Sequence, residues 1–143
     1  MLFNAFYCII VSYGFAFLFN MRGKNTLIAA FGGGLAWYIY LLCLHYKYSI
    51  TISLFFGALT VGIYAELMAR KFKCPVTTYT ICGIIPLVPG NGMYYTMYYT
   101  ISGKINEATL TGIQTLISAG SIAIAIVFVS SITKLVTLKR RTI

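Results

Sequence analysis

The run VTTYTICGIIPLVPGNGMYYTMYYTI, residues 76–101, decides the fold. It contains no charged residue. As a helix rising about 1.5 Å per residue, a run of this length crosses the roughly 30 Å of hydrocarbon in a bilayer. Its centre, Gly83-Ile84-Ile85-Pro86-Leu87-Val88-Pro89-Gly90, cannot be continuous helix. Each proline removes a backbone donor, and its ring collides with the preceding turn. Gly90 adds a flexible joint. The run therefore reads as two half-helices meeting at Pro86, ten residues past Val76 and so near the bilayer midplane. Broken backbone at that depth is tolerated only inside protein or facing water, and transporters place substrate sites at such breaks.

Outward from this run, four more apolar stretches cover residues 2–19, 26–44, 50–68 and 108–135. Each is long enough to span as a helix. The alternation of a membrane barrel is absent. Composition agrees: 59% of the 143 residues are hydrophobic and only 9% are charged, against roughly a quarter charged in a soluble domain. The expected fold is all-α, a polytopic membrane protein of about five transmembrane helices. Residues 1–143 form a single membrane domain, and the fourth helix is broken between Pro86 and Gly90.

The net charge of +9 does not point to nucleic acid, because the basic residues sit in short gaps between apolar runs. They are Arg22 and Lys24, then Lys47, then Arg70, Lys71 and Lys73, then Lys104, then Lys134, Lys139, Arg140 and Arg141. Alternate gaps total nine basic residues against two. The richer set belongs in the cytoplasm, so the N-terminus is expected outside and the C-terminus inside. The first run lacks preceding basic residues and a following A-x-A-like site, which marks a retained span rather than a cleaved signal. Lys139, Arg140 and Arg141 read as a cytoplasmic stop signal that also favours anionic lipid. A five-span chain of this length has little interior of its own, so it is expected to work with a partner or with copies of itself.

Cys8, Cys43, Cys74 and Cys82 form no C-x-x-C pair, and His45 is the sole histidine. No metal site, disulfide framework or cofactor is expected. A membrane-embedded enzyme would need paired acids, a Ser–His pair or metal ligands within the spans. One intramembrane acid and one peripheral histidine do not supply them, so no enzyme is expected.

At the break, the second half-helix is expected to begin near Asn91, with Asn91 as its cap. Its free N–H groups and positive dipole end suit an anion such as a carboxylate. The segment is not a P-loop, since no G-K-[ST] follows. Pro86, Pro89, Gly90, Asn91, Tyr94 and Tyr95 form the candidate substrate site; the plainer alternative is a proline kink that serves packing alone. Tyr98 and Tyr99 approach the outer interface, where tyrosine anchors spans. Glu66 is the one acid inside a span, and Arg70 follows at i,i+4. The two are either a structural ion pair or a coupling site for protons or for a substrate amine. Gly32-Gly33-Gly34 and Ser118-Ala119-Gly120-Ser121 read as close-packing surfaces.

The same residues carry a resemblance. Residues 83–90 followed by Tyr94-Tyr95-Thr96-Met97 resemble the signature of the threonine/serine exporter family. Ala65-Glu66 with Ala69-Arg70, Pro75 with Thr77, and Gly14-Phe15-Ala16-Phe17-Leu18-Phe19-Asn20 fit that family as well. The resemblance covers most of the chain. In length the chain is similar to the small, all-membrane subunit of the family's two-component form. The resemblance implies a secondary-transporter subunit that exports threonine and serine from a bacterial cytoplasmic membrane, paired with a larger membrane subunit of the same family. A related pair is linked to succinate export, so a dicarboxylate exporter is the alternative within transport. A membrane assembly protein with no transport role is the alternative outside it.

Overall fold

The computed structural model describes the backbone of residues 2–21 and 23–141 and the side chains up to residue 135. Arg22 and the side chains of Lys139, Arg140 and Arg141, which enter the charge count above, lie outside the described residues. The chain is all helical: α1 Leu2–Leu18, α2 Lys24–His45, α3 Ile50–Phe72, α4 Val76–Ile84, a 3-10 turn Ile85–Leu87, α5 Gly90–Ile101 and α6 Ile105–Arg141. Among the described residues, three helices, Lys24–His45, Ile50–Phe72 and Ile105–Leu135, are long and apolar enough to cross a membrane; Leu2–Leu18 and Val76–Leu87 are shorter apolar helices. This is a polytopic membrane protein with its fourth apolar run broken.

Helix ends run past the edges of the apolar runs. α3 continues through Arg70 and Lys71 to Phe72, and α6 starts at Ile105 rather than Ala108. Hydropathy stops at the first charge, whereas helical hydrogen bonding continues into the interface. α3 is bounded by its own chemistry: Ser49 Oγ accepts from Ile52 N–H (3.3 Å) at its start. At its end Lys73 takes a left-handed conformation, φ 54°, and its N–H donates to Ala69 O.

The helices pack in the order α1, α2, α3, α6, α5, with α4 lodged against α2 and α3. Small residues allow the close approaches. A Cβ at Gly33 would collide with Ser12 Oγ of α1, and one at Gly57 would lie 3.2 Å from Ala36 O. The buried core falls into two clusters. The first joins Ala16, Ala29, Ala65, Ala69, Tyr79 and Cys82. The second joins Ala36, Leu54, Ala58, Val61, Leu87, Ile122 and Ala125. Polar links stitch the first: Tyr79 OH donates to Asn25 Oδ1 (3.0 Å), Asn25 Nδ2 to Cys74 Sγ (3.1 Å), and Tyr64 OH to Ile28 O (2.8 Å).

The break is built into the core. Leu87, between the two prolines, is 1% exposed within the second cluster. It pins the 3-10 turn against α2 and α3. Beyond it the chain leaves this core: α5 has no buried residue and packs against α6. The cap differs from expectation. α5 opens at Gly90 with Pro89 in the cap position and no side-chain cap bond, so Asn91 lies inside the first turn. Proline at the cap has no side-chain acceptor, so the first-turn N–H groups are left without a capping partner.

Candidate functional site

Because α4 turns into the α2–α3 groove and α5 turns toward α6, the broken run encloses space at its joint. That space is a cavity of about 800 Å³. Its floor is the backbone and side chains of residues 86–92. Trp37 and Tyr40 of α2 form one wall, with Thr51 and Leu54 at the start of α3 beside them. Tyr95 and Tyr99 of α5 and Gln114, Thr115 and Ser118 of α6 form the other. Ser121 Oγ donates to Thr51 O (2.8 Å) and ties α6 to α3 beside the cavity.

The electrostatic character follows from these residues. Among the described residues, no Asp, Glu, Lys, Arg or His lines the cavity. Its polarity comes from amide, hydroxyl and indole groups and from the open end of α5. Gly90 N–H bonds back to Val88 O (2.7 Å) and Met93 N–H to Pro89 O (3.2 Å), which leaves the N–H groups of Asn91 and Gly92 at the helix mouth. Trp37 Nε1 is buried and has no hydrogen-bond partner. Its ring lies 4.9 Å from that of Tyr40, centroid to centroid. Thr115 is turned back on its own helix, its hydroxyl donating to Thr111 O (2.7 Å). Aromatic faces and neutral hydrogen-bonding groups around such a space can hold a small polar molecule without net charge.

Of the residues singled out from the sequence, Pro86, Pro89, Gly90, Asn91 and Tyr95 meet at the cavity. Tyr94 does not line it. It is 65% exposed and stacks on Tyr98, with centroids 6.4 Å apart and planes 11° apart. Glu66 and Arg70 lie elsewhere, in an apolar groove of about 290 Å³ between α3 and α6. Arg70 Nε stands 3.9 Å from Glu66 Oε2. The sequence reading missed Trp37, Tyr40, Thr51 and Gln114. A signal was present for α6. Thr111, Gln114, Thr115 and Ser118 recur at three- and four-residue spacing as a polar stripe along the first half of α6, and Gln114 is the chain's sole glutamine. Trp37 and Tyr40 carried none, because aromatic residues near a span end read as interface anchors.

The family model described as "Threonine/Serine exporter, ThrE" matches residues 4–132. A protein of Haemophilus influenzae named only as uncharacterized is 26% identical over 97 residues, which is 68% of this chain and 33% of that protein. The chain thus spans about a third of the length of this curated relative. No solved structure matches.

Proposed function

The chain belongs to the threonine/serine exporter family, and we propose that it forms one membrane half of a secondary transporter that carries threonine and serine out of the cell. The observation that carries this reading is the uncharged cavity at the mid-membrane break. Its volume of about 800 Å³ lies within the roughly 300–1,000 Å³ of small-molecule sites. A zwitterionic amino acid has no net charge to compensate. Its carboxylate suits the N–H groups at the mouth of α5, and its ammonium suits the faces of Tyr95, Tyr40 and Trp37. A dicarboxylate brings two negative charges, and among the described residues no cation lines the cavity to meet them. Pro86, Pro89 and Gly90 hold the joint open, while Asn91 and Tyr95 face the substrate.

Five crossings, N-terminus outside and C-terminus inside, follow from the nine-to-two distribution of basic residues. In that orientation the cavity opens toward the outer side. The inner side is filled by the first core cluster, around Tyr79 and Cys82. The membrane is the bacterial cytoplasmic membrane, and the partner is a larger membrane subunit of the same family. No catalytic step is assigned to the chain.

Efflux of labelled serine, threonine and succinate from bacterial cells tests this reading, with the chain expressed alone and together with the larger subunit. Serine and threonine efflux that needs both chains is expected. Efflux with this chain alone would contradict the two-part assembly. Succinate efflux in place of amino-acid efflux would move the substrate to dicarboxylates. No efflux despite correct insertion would leave the assembly-protein role.

A further inference from the structure

We propose that α4 is the inner gate of the cavity, and that when α4 moves away from α2 the side chains of Ser12, Asn25 and Tyr79 line the substrate's path to the inner side. This rests on the reading of the chain as part of an exporter whose cavity opens outward. Few interactions hold α4. It is nine residues long and buries Tyr79, Cys82 and Gly83. Gly83 has no side chain and Cys82 a small one, so Tyr79 is the one large anchor. The surface that receives it is a bed of small side chains, Ala16, Ala29, Ala65 and Ala69. On such a surface a helix shifts with little interlocking to undo.

Two hydrogen bonds fix its position. Tyr79 OH donates to Asn25 Oδ1 (3.0 Å), and Asn25 Nδ2 donates to Cys74 Sγ (3.1 Å), just ahead of α4. One amide of α2 thus ties down the start of α4 twice, and the second tie ends on sulfur, a weak acceptor. Joints stand at both ends. Pro75 precedes α4. At the other end Pro86 has no N–H to return to Cys82 O, so the helical ladder stops there. The 3-10 turn closes on itself, Val88 N–H donating to Ile85 O (3.2 Å).

The polar groups beneath α4 are a second observation. Ser12 Oγ is fully buried and has no hydrogen-bond partner among the described residues. It lies where α1, α2 and α4 meet: a Cβ on Gly33 would collide with Ser12 Oγ and stand 3.6 Å from Cys82 O. A buried hydroxyl left unmet is costly, and the packed position of α4 bears that cost. Displacement of α4 opens Ser12 to water or substrate and removes it. Asn25 lies at the inner end of α2, and Gly33, beside Ser12, is about 12 Å deeper along the helix. Asn25, Tyr79 and Ser12 therefore form a polar line from the inner surface toward the break. Packing alone calls for apolar side chains there, whereas a zwitterion in transit calls for hydrogen-bonding ones.

Cysteine accessibility in inside-out membrane vesicles tests the gate. Ser12→Cys is placed in a chain carrying Cys8→Ala, Cys43→Ala, Cys82→Ala and Cys74→Ser, the last keeping an acceptor for Asn25. A water-soluble thiol reagent should modify position 12 from the inner side, at least threefold faster with Tyr79→Phe, which removes the bond to Asn25. Ala125→Cys, buried in the second cluster, is the control and should stay unmodified. No modification at position 12 in either background, or equal modification at position 125, would overturn the proposal. A second experiment reads transport. Asn25→Cys is combined with native Cys74, with Cys8→Ala, Cys43→Ala and Cys82→Ala, and the two thiols are joined by a short, reducible bifunctional reagent. Serine and threonine efflux, with the larger subunit present, should fall at least tenfold and return on reduction; efflux that survives complete crosslinking would contradict the gate. Threonine should raise the unfolding temperature of free and crosslinked protein equally, since the outer cavity is untouched; a shift lost on crosslinking would place the effect in the cavity and overturn the gate. Modification at position 12 without amino-acid efflux from the uncrosslinked protein would sink the exporter reading and keep the moving helix; efflux with position 12 inert would do the reverse.

Discussion

Two residues separate what the sequence signals from what the fold uses. Glu66 is the chain's conspicuous intramembrane acid, yet it lines a groove apart from the cavity, 3.9 Å from Arg70 Nε. The Arg70 side chain is 47% exposed, so solvent screens the pair and it contributes at most about 1 kcal/mol. Glu66→Gln is therefore expected to keep serine and threonine efflux within about twofold and to insert normally; loss of efflux at normal membrane level would reassign Glu66 to coupling. Gly92 gives no such signal in sequence, two residues after Gly90 in a stretch already read as a joint. In the structure it is where α5 and α6 touch, and an added Cβ would run into Thr115. Gly120, in the middle of α6, has nothing within 4 Å of its added Cβ. Gly92→Ala should lower the unfolding temperature in detergent, with a packing loss of about 1–3 kcal/mol. Gly120→Ala should leave it level or raise it, by up to about 1 kcal/mol of helix propensity. Equal effects at the two positions would contradict the observed α5–α6 contact.

At the scale of elements, the broken fourth run was legible because proline acts locally. Pro86 and Pro89 remove donors wherever they stand, and the joint falls between them. Leu87 was not legible as the anchor of that joint. Its burial depends on Ala36, Leu54 and Ala58 arriving from α2 and α3, a tertiary fact with no local signature. The cap at Asn91 failed for a related reason. The rule that favours asparagine assumes a cap with a side-chain acceptor, but here Pro89 takes that position and α5 opens at Gly90. The break supplies its own test. Pro86→Leu, Pro89→Leu and Gly90→Ala combined restore helix propensity across the joint and draw α5 into line with α4. Efflux should fall at least tenfold at unchanged membrane level. Retained efflux would mean that the break serves packing alone.

For the whole molecule, hydropathy and charge established an all-helical membrane protein, since a bilayer leaves few alternatives for an apolar backbone. Position along the chain did not reveal which helices meet. α4 is inserted between α2 and α3, while α5 joins α6, and the cavity exists only because the two halves of one run part company. Its walls come from residues more than sixty positions apart, Trp37 and Gln114 among them, and pairing at that separation is set by packing of small residues on each helix. The uncharged lining and the open end of α5 form one arrangement, the feature on which the proposed site for a small polar molecule rests.

Substrate protection at Gln114 tests that arrangement most directly. Gln114→Cys is placed in a chain whose Cys8, Cys43, Cys74 and Cys82 are replaced by alanine, expressed with the larger subunit and treated with a membrane-impermeant thiol reagent from outside the cell. The cysteine should be modified from that side. Threonine or serine should slow modification at least severalfold, and succinate should not. Modification at the same rate with or without threonine would contradict the placement of the substrate in this cavity.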